Sequence, residues 1–152
     1  MRKVLFLVLL ILRPFTLAPD ETENQYDLVV YGGTAGGVTT AVAAAREGLK
    51  VALLEPGSHL GGMVSGGLGA TDFGRKEVIG GMSLEFFQRV GRHYGEKIGW
   101  YFEPHVAEAI FKEMVKEAGV SVFYHRRLPC GWWCCATLAG SGRVPAAAAP
   151  AM

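Results

Sequence analysis

YDLVVYGGTAGGVTTAVAAAREGLKVALLE, residues 26–55, decides how this chain folds. Tyr26 to Tyr31 is a short, mainly apolar run, the composition of a strand entering a sheet. The glycine-rich GGTAGG of residues 32–37 follows without a break. The backbone must reverse at Gly32, and glycine accepts a positive φ there without steric cost. Ala41, Ala43, Ala44 and Ala45 predict a thin helix that packs close to a sheet, and Gly48 supplies its stop. Lys50 to Glu55 is a second strand, closed by a carboxylate. Strand, glycine turn, helix and strand in this order form a βαβ unit.

The turn carries its own chemistry. Unpaired N–H groups of the first helical turn converge on one spot, and the helix dipole adds partial positive charge, so a pyrophosphate suits it. Gly37 falls on that turn, where a side chain would hold helix and strand apart. Glu55 lies 23 positions after Gly32, placed to accept both hydroxyls of an adenosine ribose. A carboxylate there repels a 2′-phosphate, which argues against an NADP-type ligand. The motif reads G-x-T-x-x-G, with Thr34 where a middle glycine is usual. Thr34 brings a β-branched side chain near the pyrophosphate, and its hydroxyl is able to donate a hydrogen bond. The expected ligand is an adenine dinucleotide. The plain alternative is an incidental glycine-rich turn with a solvated acid at the strand end.

PGSHLGGMVSGGLGATDFG, residues 56–74, narrows the cofactor. A nicotinamide-binding unit would normally enter another helix and strand here. This chain instead places Gly61-Gly62, Gly66-Gly67, Gly69 and Gly74 in one stretch. Such a loop offers free N–H groups and lets backbone approach a flat, extended ligand. A surface loop with no ligand is the competing reading.

YGGTAGG, Glu55 and LGGMVSGGLGATDFG together resemble the FAD-dependent oxidoreductases of the glutathione-reductase-like flavoprotein superfamily. VIGGMSLEFFQRVGRHYG (78–95) and FEPHVAEAIFKEMVKEAGVSVFYHRRL (102–128) are similar to a bacterial exported group within it, sometimes labelled xanthan lyase-related. The resemblance covers about residues 26–128. It implies a Rossmann-like open parallel sheet and FAD as cofactor. It also implies flavin-mediated redox on a small-molecule substrate that the sequence does not identify. Gly32, Gly33, Thr34, Gly36 and Gly37 would wrap the pyrophosphate, and Glu55 would hold the adenosine ribose. Gly61, Gly62 and Met63 would follow the phosphates and ribityl chain, and Ser65, Gly66 and Gly67 would approach the isoalloxazine. No residue is assigned as catalytic.

Length and composition set the outer bounds. At 152 residues, half of them apolar, the chain is long enough for one domain with a buried core. The net charge of +1 and the lack of a basic stripe argue against a nucleic-acid partner. Arg2-Lys3, the nine apolar residues Val4 to Leu12, and Thr16-Leu17-Ala18 predict a signal peptide over 1–18. Nine apolar residues are too few to span a bilayer as a helix, so no stable span is expected in the mature, exported protein. Residues 19–25 read as a linker, and 26–128 as the N-terminal part of an FAD-binding domain.

Ser83 to Glu96 is expected to be a helix with Leu84, Phe87, Gly91 and Tyr94 along one face. Pro104 suits the first position of a second helix, whose apolar face carries Ala107, Ile110, Phe111, Met114 and Ala118. Gly119 stops it, and Val120 to Tyr124 is a third strand. His59, placed just before the first glycine pair, His93 and His105 are candidate acid-base groups, although isolated histidines are more often structural. Asp72 and Arg75 lie in the loop near the expected flavin end. Trp100, Tyr101 and Phe102 read as packing residues, with flavin stacking as the alternative.

After Leu128 the character changes. Residues 129–152 carry all three cysteines (Cys130, Cys134 and Cys135) and an Ala/Pro run, and no Asp or Glu follows Glu117. C-x-x-x-C-C is not a zinc spacing, so no metal is expected. The segment reads as an atypical low-complexity or frameshifted tail. Relatives by resemblance continue for several hundred residues. An incomplete FAD domain lacking its C-terminal part is therefore expected, and with it the alternative of a truncated, non-catalytic fragment that binds dinucleotide weakly.

Overall fold

The computed structural model describes residues 25–72 and 74–128, so the leader, most of the linker and the tail with its cysteines lie outside the described residues. The predicted βαβ unit is present. Strand β1 (Leu28–Tyr31) leads through the glycine turn into helix α1 (Ala35–Arg46) and back to strand β2 (Val51–Glu55). A long loop with one 3-10 turn at Lys76–Val78 follows. Helix α2 (Gly81–Tyr94), helix α3 (Pro104–Glu117) and strand β3 (Ser121–Tyr124) complete the described part.

The three strands form one parallel sheet in the order β1-β2-β3. Leu28 pairs with Val51 and Tyr31 with Leu54, while Ala52 pairs with Ser121 and Glu55 with Tyr124. Parallel pairing demands crossover connections, which α1 supplies in the first case and the α2–α3 pair in the second. All three strands therefore end at the same edge, where the glycine turn and Glu55 sit. Rossmann-like α/β topology places ligand sites at that edge.

Helix α1 packs on β1 and β2, α3 packs on α1, and α2 packs on α3. Val38, Ala41 and Val42 of α1 meet Val51 and Leu53 of β2, all with almost no exposure. Ala41 and its neighbours keep the helix close, as the alanine run predicts. From α3, Val106, Ala107, Ile110, Phe111, Met114 and Val115 are buried. Phe111 stacks on Phe86 of α2 with ring centroids 4.6 Å apart, and Phe102 meets Phe86 edge-on at 5.6 Å. Burial of each such ring contributes about 1.5–3 kcal/mol.

Helix α2 departs from its expected bounds and face. It runs from Gly81 to Tyr94, and its buried residues are Phe86, Val90 and Gly91. Leu84 and Phe87 are only half-buried and Tyr94 is exposed. Phe86 and Phe87 are adjacent, so the spacing fitted either phase. The contacts of Phe86 with Phe102 and Phe111 select the observed one.

A charged network on the outer side fastens the three helices. Arg46 of α1 makes a two-pronged pair with Glu85 of α2, at 2.7 and 2.8 Å. Arg89 reaches Glu85 on its own helix and Glu113 and Glu117 on α3, at 2.9, 3.2 and 2.6 Å. The Arg46 guanidinium, with help from Arg89, holds the Glu85 carboxyl down at about 2. The Arg89 guanidinium is in turn pushed well above its ordinary value, chiefly by Glu117.

Candidate functional site

The site begins with Gly32, whose N–H donates to the Leu54 carbonyl at 2.8 Å and whose φ of 100° turns the chain out of β1. A Cβ on Gly37 would lie inside van der Waals contact of the Gly32 carbonyl oxygen, so only glycine lets α1 approach this closely. Thr34 is the N-cap of α1, and its Oγ1 accepts from the Gly37 N–H at 3.1 Å. The threonine that departs from the usual motif is thus a helix cap. Gly36 is exposed at the same helix end.

Glu55 reaches across from the end of β2. Its Oε2 accepts from the buried Gly33 N–H at 2.6 Å, and its Oε1 accepts from the Gly57 N–H at 2.5 Å. A carboxylate has about four lone-pair sites, so two stay open for ribose hydroxyls. A Cβ on Gly33 would stand 2.8 Å from Glu55 Oε2 and 2.6 Å from the Leu60 side chain. The acid therefore braces the glycine turn, a role that the spacing alone did not show.

The second glycine cluster comes back onto the first. The Gly61 N–H donates to the Gly33 carbonyl at 2.7 Å, and Thr34 and Gly61 form a parallel bridge. A Cβ on Gly62 would meet Thr34 at 3.3–3.4 Å, and one on Gly61 would meet the Phe111 ring at 2.6 Å. The buried aromatic stack thus forms the floor under Gly61. The Ser65 hydroxyl donates to the Leu60 carbonyl at 2.5 Å, fastening the loop rather than pointing its proton outward. Met63 is 76% exposed. Gly66 packs against the Gly62 carbonyl, and Gly67 has open space around it.

Farther along, the loop is tied to the segment before α3. Ala70 and Tyr101 form an antiparallel bridge, and the Phe102 N–H donates to the Gly69 carbonyl at 3.0 Å. Phe102 is core and Trp100 packs on Phe87 at 4.8 Å, whereas Tyr101 is exposed. Asp72 and Arg75 are exposed.

The histidines do not converge on the turn. His59 Nδ1 lies 3.1 Å from both carboxylate oxygens of Glu108 on α3, and Glu108 also pairs with Lys112 at 2.6 Å. The His59 ring is largely exposed, and its side-chain contact runs to α3. His93 and His105 line a cavity of about 410 Å³ between α2 and α3 with Arg89, Arg92 and Glu113. Among the described residues no group of three or more His, Cys, Asp or Glu side chains is placed to hold a metal ion, and no helix is long and apolar enough to cross a membrane.

Residues 125 and 126, which carry no recognisable site motif, join the end of β2 through their backbone. The His125 N–H donates to the Gly57 carbonyl and the Arg126 N–H to the Glu55 carbonyl, both at 3.1 Å. His125 has a φ of 56°, the only positive φ at a non-glycine among the described residues. These are backbone contacts, and no side-chain pattern announces them.

A glycine turn on a helix N-terminus, a carboxylate at the end of β2 and a second glycine pair folded onto both now stand together. The family model that matches this chain, over residues 27–138, is that of the FAD dependent oxidoreductases. The chain belongs to that family. Its cofactor is FAD, and the glycine turn suits it: side chains at 33, 37, 61 or 62 would crowd Leu60, Glu55, the Gly32 carbonyl, Phe111 or Thr34 and disturb the close backbone packing that shapes the turn. No curated protein gives a match. Among solved structures, THI4 of Thermovibrio ammonificans is 17% identical, with 81% of this chain and 44% of that chain covered and a TM-score of 0.44. A steroid monooxygenase, solved oxidized and bound to NADP, is 23% identical over 67% of this chain and 20% of its own, with a TM-score of 0.46. The 3-ketosteroid-delta4-(5alpha)-dehydrogenase of Rhodococcus jostii RHA1 is 16% identical over 74% of this chain and 40% of its own, with a TM-score of 0.43. The chain spans less than half the length of each.

Proposed function

We propose that this chain carries the adenosine- and pyrophosphate-gripping part of an exported flavoprotein oxidoreductase. Its place is in the glutathione-reductase-like superfamily and, within it, the group labelled xanthan lyase-related. The substrate is a small molecule. The observation that carries this reading is the shared cradle of Gly33, Gly37, Glu55 and Gly62 at the carboxyl edge of the sheet. Bound FAD supplies the redox chemistry, and the protein supplies grip and orientation.

Each part has a task. The α1 N-terminus faces the pyrophosphate with partial positive charge. Glu55 holds the ribose hydroxyls with its open lone pairs while bracing Gly33. Its negative charge disfavours a 2′-phosphate, so FAD and NADH-type adenosine fit where NADPH does not. The loop at 61–67 lies beside the turn, in position to follow the extended cofactor away from its adenosine end.

Titration of the full chain with FAD, followed by flavin fluorescence, tests the reading. Saturable binding is expected, with no competition from 2′-phosphoadenosine diphosphate. Gly37→Val pushes α1 off β1 and is expected to abolish binding. Equal binding by the parent and this variant would show that the dinucleotide lies elsewhere.

A further inference from the structure

The hollow between α2 and α3 gathers positive charge that its own acid does not balance. Its volume is about 410 Å³, inside the range of ~300–1,000 Å³ common to small-molecule sites. Val106 and Ile110 of α3 are buried and give it an apolar floor. Arg89 and Glu113 pair on its wall, so their charges cancel. Arg89 uses four of its five N–H groups on Glu85, Glu113 and Glu117, and one on Nη1 remains. Arg92 and His93 of α2 and His105 of α3 line the same hollow, and all three are exposed. Among the described residues none of these three side chains has a hydrogen-bond or ion-pair partner. Arg92 also borders a second hollow with Glu85, Glu96 and Lys97, yet it pairs with neither acid there.

The helix ends that carry these groups are tied to each other. The Tyr94 hydroxyl, in the last turn of α2, accepts the Glu103 N–H just before α3 at 3.2 Å. The His93 ring meets Tyr94 edge-on at 4.8 Å. Pro104 then opens α3, one residue before His105. We propose that this hollow binds a small organic carboxylate, with Arg92 on the carboxylate and the apolar body against Val106 and Ile110. It shares no residue with the glycine turn, so the proposal stands apart from the FAD reading. A guanidinium meets a carboxylate through two parallel N–H groups, the geometry of strong ionic hydrogen bonds.

His93 and His105 make the hold sensitive to acid. Histidine ordinarily gains its charge between about pH 5 and 8. Protonation of both rings adds two positive charges to that of Arg92, around an anion that stays ionised in this range. Glu113 is the one acid among the described residues that line the hollow, and Arg89 already engages it. Without a ligand the three cationic groups repel one another as pH falls. With a carboxylate between them the repulsion becomes attraction, so binding tightens in acid.

Isothermal titration calorimetry of the full chain with naphthalene-2-carboxylate tests this, beside the neutral carboxamide and inorganic phosphate. The carboxamide lacks the charge and should bind at least about tenfold more weakly. Phosphate lacks the apolar body and should also fall at least about tenfold behind. Affinity for the carboxylate should rise about fivefold or more from about pH 8 to about pH 5.5. Arg92→Gln should cost about tenfold, and the double variant His93→Asn, His105→Asn should flatten the pH profile. All three side chains are exposed, so melting temperatures and FAD titrations of these variants should match the parent. No binding of the carboxylate, equal binding of the carboxamide, or an unchanged Arg92→Gln would each overturn the site. Displacement of the carboxylate by ADP would move it to the glycine turn and overturn the proposal as well. A parent that binds the carboxylate and not FAD would refute the cofactor reading alone.

Discussion

Replacing Glu55 by alanine should have two separable effects, and their sizes follow from the geometry. In the parent, the carboxylate accepts from Gly33 and Gly57 at 2.6 and 2.5 Å. Gly33 is buried, so its N–H loses an acceptor that water does not replace, at a cost of about 1–3 kcal/mol. Gly57 is half-buried, and water takes up its amide at little cost. A destabilisation of about 2 kcal/mol in a domain of this size lowers the melting temperature by roughly 8–16 °C. The second effect is on the ligand. The ribose hydroxyls lose their acceptor, which weakens FAD by about 1–3 kcal/mol, or roughly 5- to 150-fold. Glu55→Gln keeps one acceptor oxygen but turns an amide N–H₂ toward a backbone donor, so it should fall between parent and alanine in both readouts. Melting followed by circular dichroism gives the first effect, and FAD titration of the folded variant gives the second. If Glu55→Ala melts within about 2 °C of the parent and binds FAD equally well, the carboxylate neither braces the turn nor holds the ribose.

The charged network predicts an acid response. The Glu85 carboxyl is held at about 2, below its unfolded value of 4.5, so its contribution is full above pH 4.5 and is lost as pH falls through about 2. Urea midpoints of the parent and Glu85→Gln should therefore differ at pH 6 and converge near pH 2; a constant gap would remove Glu85 from the acid response. The proposed leader predicts that the exported protein begins near Pro19, which N-terminal sequencing of the secreted or periplasmic product reads directly. An exported product retaining Met1 would count against cleavage.

The parts legible in sequence were those fixed by single residues with narrow physical roles. Gly32 and Gly37 marked the turn because no other residue type fits the φ of one or the packing of the other. Pro104 and Gly119 bracketed α3 for the same kind of reason, as its observed start and its cap show. The parallel sheet followed from the order of these elements. What stayed hidden depends on partners distant in sequence. His59 meets Glu108, 49 residues on, and nothing local to His59 signals it. The bracing of Gly33 by Glu55 uses a backbone amide 22 residues back. The phase of α2 was ambiguous because Phe86 and Phe87 sit side by side, and only packing against Phe111 and Phe102 chose between them.

The strand order carries a consequence for how the chain acquires its structure. β1 finds β2 across a short connection, Leu28 to Val51, whereas β2 finds β3 only across the much longer span from Ala52 to Ser121. The second closure encloses about three times as many residues and costs roughly 1 kcal/mol more in chain entropy. The pyrophosphate and ribose half of the proposed cofactor cradle belongs to the β1-α1-β2 unit that this first closure forms: Gly32, Gly33, Thr34, Gly36, Gly37 and Glu55 all lie within it. Dinucleotide added during refolding can therefore engage a nascent β1-α1-β2 unit before α2, α3 and β3 have docked. The cofactor then acts as a template for the later steps, and refolding rates should rise with its concentration.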